Sequence, residues 1–328
     1  MDRSYLKSQS PTYTSLFYVI SLFAITFLMI HFIQFNSDKK IPDAKNFLAV
    51  AAEDNDEPLK KPLPPYDYNS LPFCDLSKEI KNPKIDLKEV QKSFLKCVFP
   101  LLTRFFGNPE GLLFNFNTVL SVCDDEKSIR DIEIRDFGTQ TWSVFPNCKE
   151  NNTLVTLGVG NDTSAEVWLK KKIPNLEMYG TSGLIESSST YSNFQNIALG
   201  GKGDNLVMEV LENDKLINKS MLAKRFEDYM TEIKLTKIDT LWINTYYGIF
   251  PFWDYLKQDG WLNKNGITVC QMIIEVPKGH GEQWTEMIRP MQQNSQFVFM
   301  KPTTTKNGGA RAFFINYKDP KCTRKYLE

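Results

Sequence analysis

Leu154-Val155-Thr156-Leu157-Gly158-Val159-Gly160-Asn161-Asp162-Thr163-Ser164-Ala165-Glu166 is the stretch on which the fold turns. A short β-type run meets two glycines one residue apart and passes into residues suited to starting a helix, with Asp162 and Thr163 as candidate caps. The pattern predicts a strand, a tight turn and a helix N-terminus. Glycines at 158 and 160 let the backbone turn sharply and approach a ligand closely, and the helix offers free N–H groups and a positive dipole end. A nucleotide-like cofactor fits such a turn. So does a plain strand-to-helix connection, because the third glycine of a dinucleotide fingerprint is absent and no Gly-Lys-Ser/Thr follows.

Downstream, Thr163 to Lys172 reads as helix, Leu176 to Tyr179 as a second strand and Asn196 to Leu199 as a third. A helix containing Met221 to Tyr229 leads to Ile238-Asp239-Thr240-Leu241-Trp242-Ile243, an apolar run suited to a buried central strand. Helix over Asp254 to Gln258, strand over Thr268 to Glu275, helix over Glu282 to Arg289 and strands at Phe297 to Met300 and Ala312 to Ile315 complete the alternation. The expected class is α/β, a Rossmann-like, mostly parallel sheet with helices on both faces. In such a sheet a ligand sits beyond the C-terminal strand ends, here just after 157, 179 and 243.

Upstream, residues 16–35 run LFYVISLFAITFLMIHFIQF without Asp, Glu, Lys or Arg, long enough to cross a hydrocarbon layer of about 30 Å. The expectation is a transmembrane signal anchor in the lipid bilayer, behind a short cytoplasmic tail over 1–15. Residues 36–72 combine Pro42, Pro58, Pro62, Pro64 and Pro65 with the acidic run 53–57, the composition of a flexible stalk. The folded part is then 73–328, with a helical extension over 73–150 and the Rossmann-like core over 151–328. In the extension, Asp86 with Glu89 resembles a capping box, and Leu87, Val90, Phe94, Val98 and Leu101 follow at helical spacing.

Formal net charge is zero and basic residues are scattered, which excludes an electrostatic nucleic-acid binder. No metal site is expected, because the sequence has two histidines and no CxxC or HxxxH spacing. Six cysteines, with sequons at Asn151, Asn161 and Asn218, favour an exported C-terminal part in the endoplasmic reticulum or Golgi lumen or outside the cell. Six cysteines allow fifteen connectivities, and the sequence chooses none of them.

Phe145 to Cys148, Val155 to Glu166, Ile173-Pro174-Asn175 with Tyr179-Gly180, Ile238-Asp239 to Ile243, Asn265 to Val276, and Ala310 to Asn316 with Cys322 to Leu327 follow one another along the chain. On these residues, in this order, the chain resembles the FkbM-type methyltransferase domain, in a membrane-anchored branch. The resemblance implies a Rossmann-like fold that binds S-adenosylmethionine, with Gly158, Val159, Gly160 and Asp162 cradling the cofactor. It also implies transfer of a methyl group to an oxygen of a small molecule or glycan.

Two departures accompany it. The family places an acidic residue after the second strand, where this chain has Thr181-Ser182-Gly183. It carries Asp-x-Glu-Gly after the fourth, where this chain has Asn244-Thr245-Tyr246-Tyr247. Ser182 and Asn244 retain acceptors for the cofactor but lack its partners' charge, at a cost of about 10- to 100-fold in affinity per site. A hydroxyl acceptor also wants a general base, for which Glu275 and His280 are the candidates. Their plainer roles are a strand-end carboxylate and a loop residue. The alternatives to an enzyme are a catalytically degenerate binding or scaffold module and a luminal interaction domain held by disulfides.

Overall fold

The computed structural model describes residues 63–75, 85–105, 107–138, 140–199, 206–212, 215–244, 252–289, 295–305 and 308–327. The first of these already belong to the folded body. Tyr66 and Tyr68 donate their hydroxyls to the carbonyl oxygens of Pro146 and Glu150 at 3.1 and 3.0 Å, and Cys74 is bonded to Cys148.

Helix α1 (Leu87–Thr103) begins where Asp86 accepts from the N–H groups of Lys88 and Glu89. Helix α2 (Pro109–Leu120) begins where Asn108 accepts from Gly111, with proline in the first turn. A disulfide between Cys97 and Cys123 ties α1 to the turn that follows α2. After α3 (Lys127–Arg130) the chain forms an antiparallel pair, β1 (Ile134–Asp136) and β2 (Trp142–Val144). Then come β3 (Asn152–Leu157), α4 (Ser164–Lys172), β4 (Leu176–Thr181) and β5 (Asn193–Gln195).

Next, β6 (Ala198–Leu199), β7 (Leu206–Glu212), β8 (Lys215–Met221) and β9 (Ala223–Lys224) form two small pairs, β6 with β9 and β7 with β8. The last part runs α5 (Phe226–Ile233), β10 (Lys237–Ile243), α6 (Phe252–Leu256), α7 (Trp261–Lys264) and β11 (Thr268–Val276). It closes with α8 (Gly281–Ile288), β12 (Phe297–Thr304), β13 (Ala310–Asn316) and α9 (Pro320–Tyr326).

The main sheet has the order β12-β13-β11-β10-β3-β4-β5. Only β13 runs against its neighbours, so the sheet is mostly parallel. Strand β3 is buried along its whole length and β10 nearly so, as expected of strands covered on both faces. Pairing puts Thr156, Trp242 and Ile273 side by side on one face, where Gln271 also accepts the Val144 N–H of β2. The opposite face carries Phe299 and Phe314, packed edge-on against Phe94 of α1 and Trp284 of α8.

The fold class expected from the sequence needs correction at its N-terminal side. Among the described residues no helix is long and apolar enough to cross a membrane. The longest stretch of this kind, α1, has 17 residues and carries Lys88, Glu89, Lys92 and Lys96. The apolar run 16–35 lies outside the described residues, as does most of the expected stalk. The described end of that stalk is not a free tether, because Tyr66 and Tyr68 are hydrogen-bonded to Pro146 and Glu150, and the compact unit spans Leu63–Glu328.

Two further elements differ from expectation. The third parallel strand is 193–195 rather than 196–199, and the helix expected from Met221 starts at Phe226, because residues 215–221 pair with β7.

Candidate functional site

The chain passes from β3 through α4 to β4 and β5 on one side, then returns to lay β10 and β11 on the other side of β3. The direction of strand order therefore reverses between β3 and β10, the place where open α/β sheets bind ligands. At this junction Gly158 adopts φ +86°, and the N–H groups of Gly158 and Val159 both donate to the Thr181 carbonyl oxygen, at 3.0 and 2.8 Å. The Asn244 N–H donates to the Leu157 carbonyl oxygen at 2.8 Å. Three strand ends are thereby laced together.

Beyond the turn, Gly160 is exposed, and nothing lies within 4 Å of where a Cβ would stand. Exposed Asp162 accepts the Ser164 N–H at 2.9 Å, which holds its carboxyl below the usual carboxylate range. Asp162 thus satisfies the first N–H of α4, while Thr163, which stands at the N-cap, makes no capping bond and meets the Thr190 hydroxyl at 3.1 Å instead.

A cavity of about 180 Å³ opens here. Trp242 and Ile273, neighbours across the β10–β11 pair, form its floor. Asp162, Ser164 and Glu166 at the head of α4 line one side, and Asn244, Thr141 and Arg311 line the rest.

Glu166 is 5% exposed and accepts the Tyr191 hydroxyl at 2.7 Å. Burial pushes its carboxyl up, against the opposing pull of that hydrogen bond, and Asp162 adds a like charge. The Tyr191 phenol is raised, first by burial and then by Glu166. Arg311 donates through Nε to Glu275 Oε2 at 2.9 Å and through Nη2 to the same oxygen, and Nη1 reaches the Gln140 carbonyl oxygen at 3.2 Å. The guanidinium on the wall is neutralised from within the protein.

Of the residues read from sequence, Asp162 and Asn244 line the cavity, and Gly158 and Val159 shape the turn without offering free N–H groups. Ser182 is 2% exposed, donates its N–H to the Gln195 carbonyl oxygen and accepts the Leu184 N–H through Oγ, away from the lining. Glu275 reaches the cavity only through Arg311. His280 lies before α8, where its carbonyl takes the Trp284 N–H and the next residue packs on α2 through a 2.6 Å bond from Gly281 N–H to Glu110. Tyr246 and Tyr247 lie outside the described residues.

Sequence reasoning missed Glu166 and Arg311 as site residues. Each had a weak signal: Glu166 stands three residues after Thr163 at the spacing of a capping box, and Arg311 is a lone charge in an apolar strand run.

Two observations bear on whether an adenosine-bearing methyl donor fits. Gly160 leaves its side of the turn open, and the Nε1–H of Trp242 is buried with no hydrogen-bond partner among the described residues. The exposed Gly160 to Asp162 stretch adjoins the cavity. Among the described residues no cluster of His, Cys, Asp or Glu could hold a metal ion. In comparison with known proteins, the chain matches no family model and no curated protein.

Proposed function

We propose that the domain binds S-adenosylmethionine where β3, β10 and α4 meet, and that it transfers a methyl group to an oxygen of a small molecule or glycan. The observation that carries this reading is a polar cavity at the strand-order reversal, entered beside an open glycine and the head of a helix. The cofactor supplies an electrophilic methyl group. The protein's part is to hold donor and acceptor in line and to take a proton from the acceptor. Glu275 is committed to Arg311 and is not free to take that proton. Three disulfides support a setting in an oxidising compartment, luminal or extracellular. Isothermal titration of the full chain with S-adenosylmethionine tests the proposal. Saturable binding is expected, and no heat at millimolar ligand would sink it.

A second reading, a methyltransferase-type fold kept as a binding or scaffold module, is favoured by two observations. Ser182, standing where the family carries a ribose-binding acid, is buried and engaged by Leu184. The cavity volume of about 180 Å³ is also below the roughly 300–1,000 Å³ of small-molecule sites. Cofactor-dependent methylation by the purified protein, abolished by Gly160→Arg, would rule this reading out.

A further inference from the structure

Resting on the cofactor reading, we propose that the cavity is a cation-selective subsite in which Glu166, held by Tyr191, receives the sulfonium or ammonium group of the ligand. The lining offers negative charge at Asp162 and Glu166 on the α4 side. Among the described residues its one guanidinium, Arg311, already faces the Glu275 carboxylate, and no lysine lines the cavity. Tyr191 gives Glu166 a neutral hydrogen bond that fixes the carboxylate without cancelling its charge. A buried carboxylate with only a neutral partner is costly, and a cation entering beside it restores the missing half of an ion pair.

The floor adds an independent feature. Trp242 contributes an indole, the side chain whose π system attracts organic cations most strongly. The groups gathered around Glu166 thus comprise an acid, a neutral phenol, an indole and an internally paired guanidinium. That set fits a small organic cation and disfavours an anion such as phosphate.

The test is titration of the full chain and of Glu166→Gln with three ligands. S-Adenosylmethionine carries both cations, S-adenosylhomocysteine only the ammonium, and methylthioadenosine neither. Glu166→Gln is expected to weaken S-adenosylmethionine by about tenfold or more while leaving methylthioadenosine unchanged. A parallel loss for S-adenosylhomocysteine assigns the ammonium to Glu166, and its absence assigns the sulfonium; both support the proposal. Thermal unfolding supplies a readout that a merely structural role would not give: the neutral variant is expected to melt higher while binding more weakly. Tyr191→Phe is a second variant, expected to lose S-adenosylmethionine affinity severalfold with methylthioadenosine again unchanged. Equal weakening of all three ligands, or no change in any, overturns the cation subsite and leaves cofactor binding standing. Failure of all three to bind the wild-type chain overturns cofactor binding itself.

Discussion

Glu166 joins stability to function at a single carboxyl. Its folded pKa lies above that of the unfolded chain because burial penalises the charge. A raised acid has the following linkage sign: the native state binds more protons than the unfolded state between the two pKa values, so stability falls as pH rises through that window. The groups facing the carboxyl are Tyr191, Asp162 on its own segment, and the Arg311–Glu275 pair across the cavity. Urea denaturation of wild type and Glu166→Gln from pH 4 to 8 is therefore expected to show the variant gaining relative stability as pH rises above about 4.5. A constant difference across that range would show that Glu166 pays no burial penalty. At this level the sequence was partly legible. Asp162 and Asn244 follow from the rule that ligands gather beyond strand ends, and both line the cavity. Glu166 was legible as the first turn of a helix but not as a buried acid, because its partner Tyr191 stands 25 residues away.

Among the elements, the glycine turn separates two residues that look alike in the sequence. Gly158 sits at φ +86°, where an L side chain is strained, whereas Gly160 has open space around it and no positive φ. Gly158→Ala is expected to destabilise the fold by about 1–2 kcal/mol, and Gly160→Ala to stay within about 0.5 kcal/mol. Equilibrium denaturation of the two variants checks this, and equal losses would mean that the turn does not depend on the left-handed residue. Strands β3, β10 and β11 were readable because burial on both faces leaves a continuous apolar run. The β7–β8 hairpin was not. Val207 and Ile217 remain exposed, and pairing with β7 decides that 215–221 is strand.

The molecule as a whole divides its labour between the two ends of the sheet. At the end opposite the cavity, Asp239 accepts from Lys325 Nζ at 2.8 Å, from the Tyr326 hydroxyl at 2.9 Å and from the Thr153 N–H at 3.0 Å. Glu150 joins the cluster through Lys237 at 2.5 Å, and burial lowers the Lys325 pKa despite these partners. The Cys270–Cys322 disulfide fastens the same helix, α9, to β11, with both sulfurs in fully buried residues. This pairing was not legible in the sequence, since six cysteines admit many connectivities and only the docking of α9 brings these two together. Closing a 52-residue span restricts the unfolded chain, so Cys270→Ala with Cys322→Ala is expected to cost about 2–5 kcal/mol of stability. The bond stands at the far ends of the strands from Trp242 and Glu166, so S-adenosylmethionine affinity of the still-folded double variant should match that of the wild type. Denaturation and titration on the same preparations check both halves. A variant that keeps its stability would mean that the ion cluster alone secures α9. One that stays folded yet loses affinity would mean that the two ends of the sheet are coupled, and that the lacing of β3, β10 and β4 at the cavity depends on how the opposite ends are anchored.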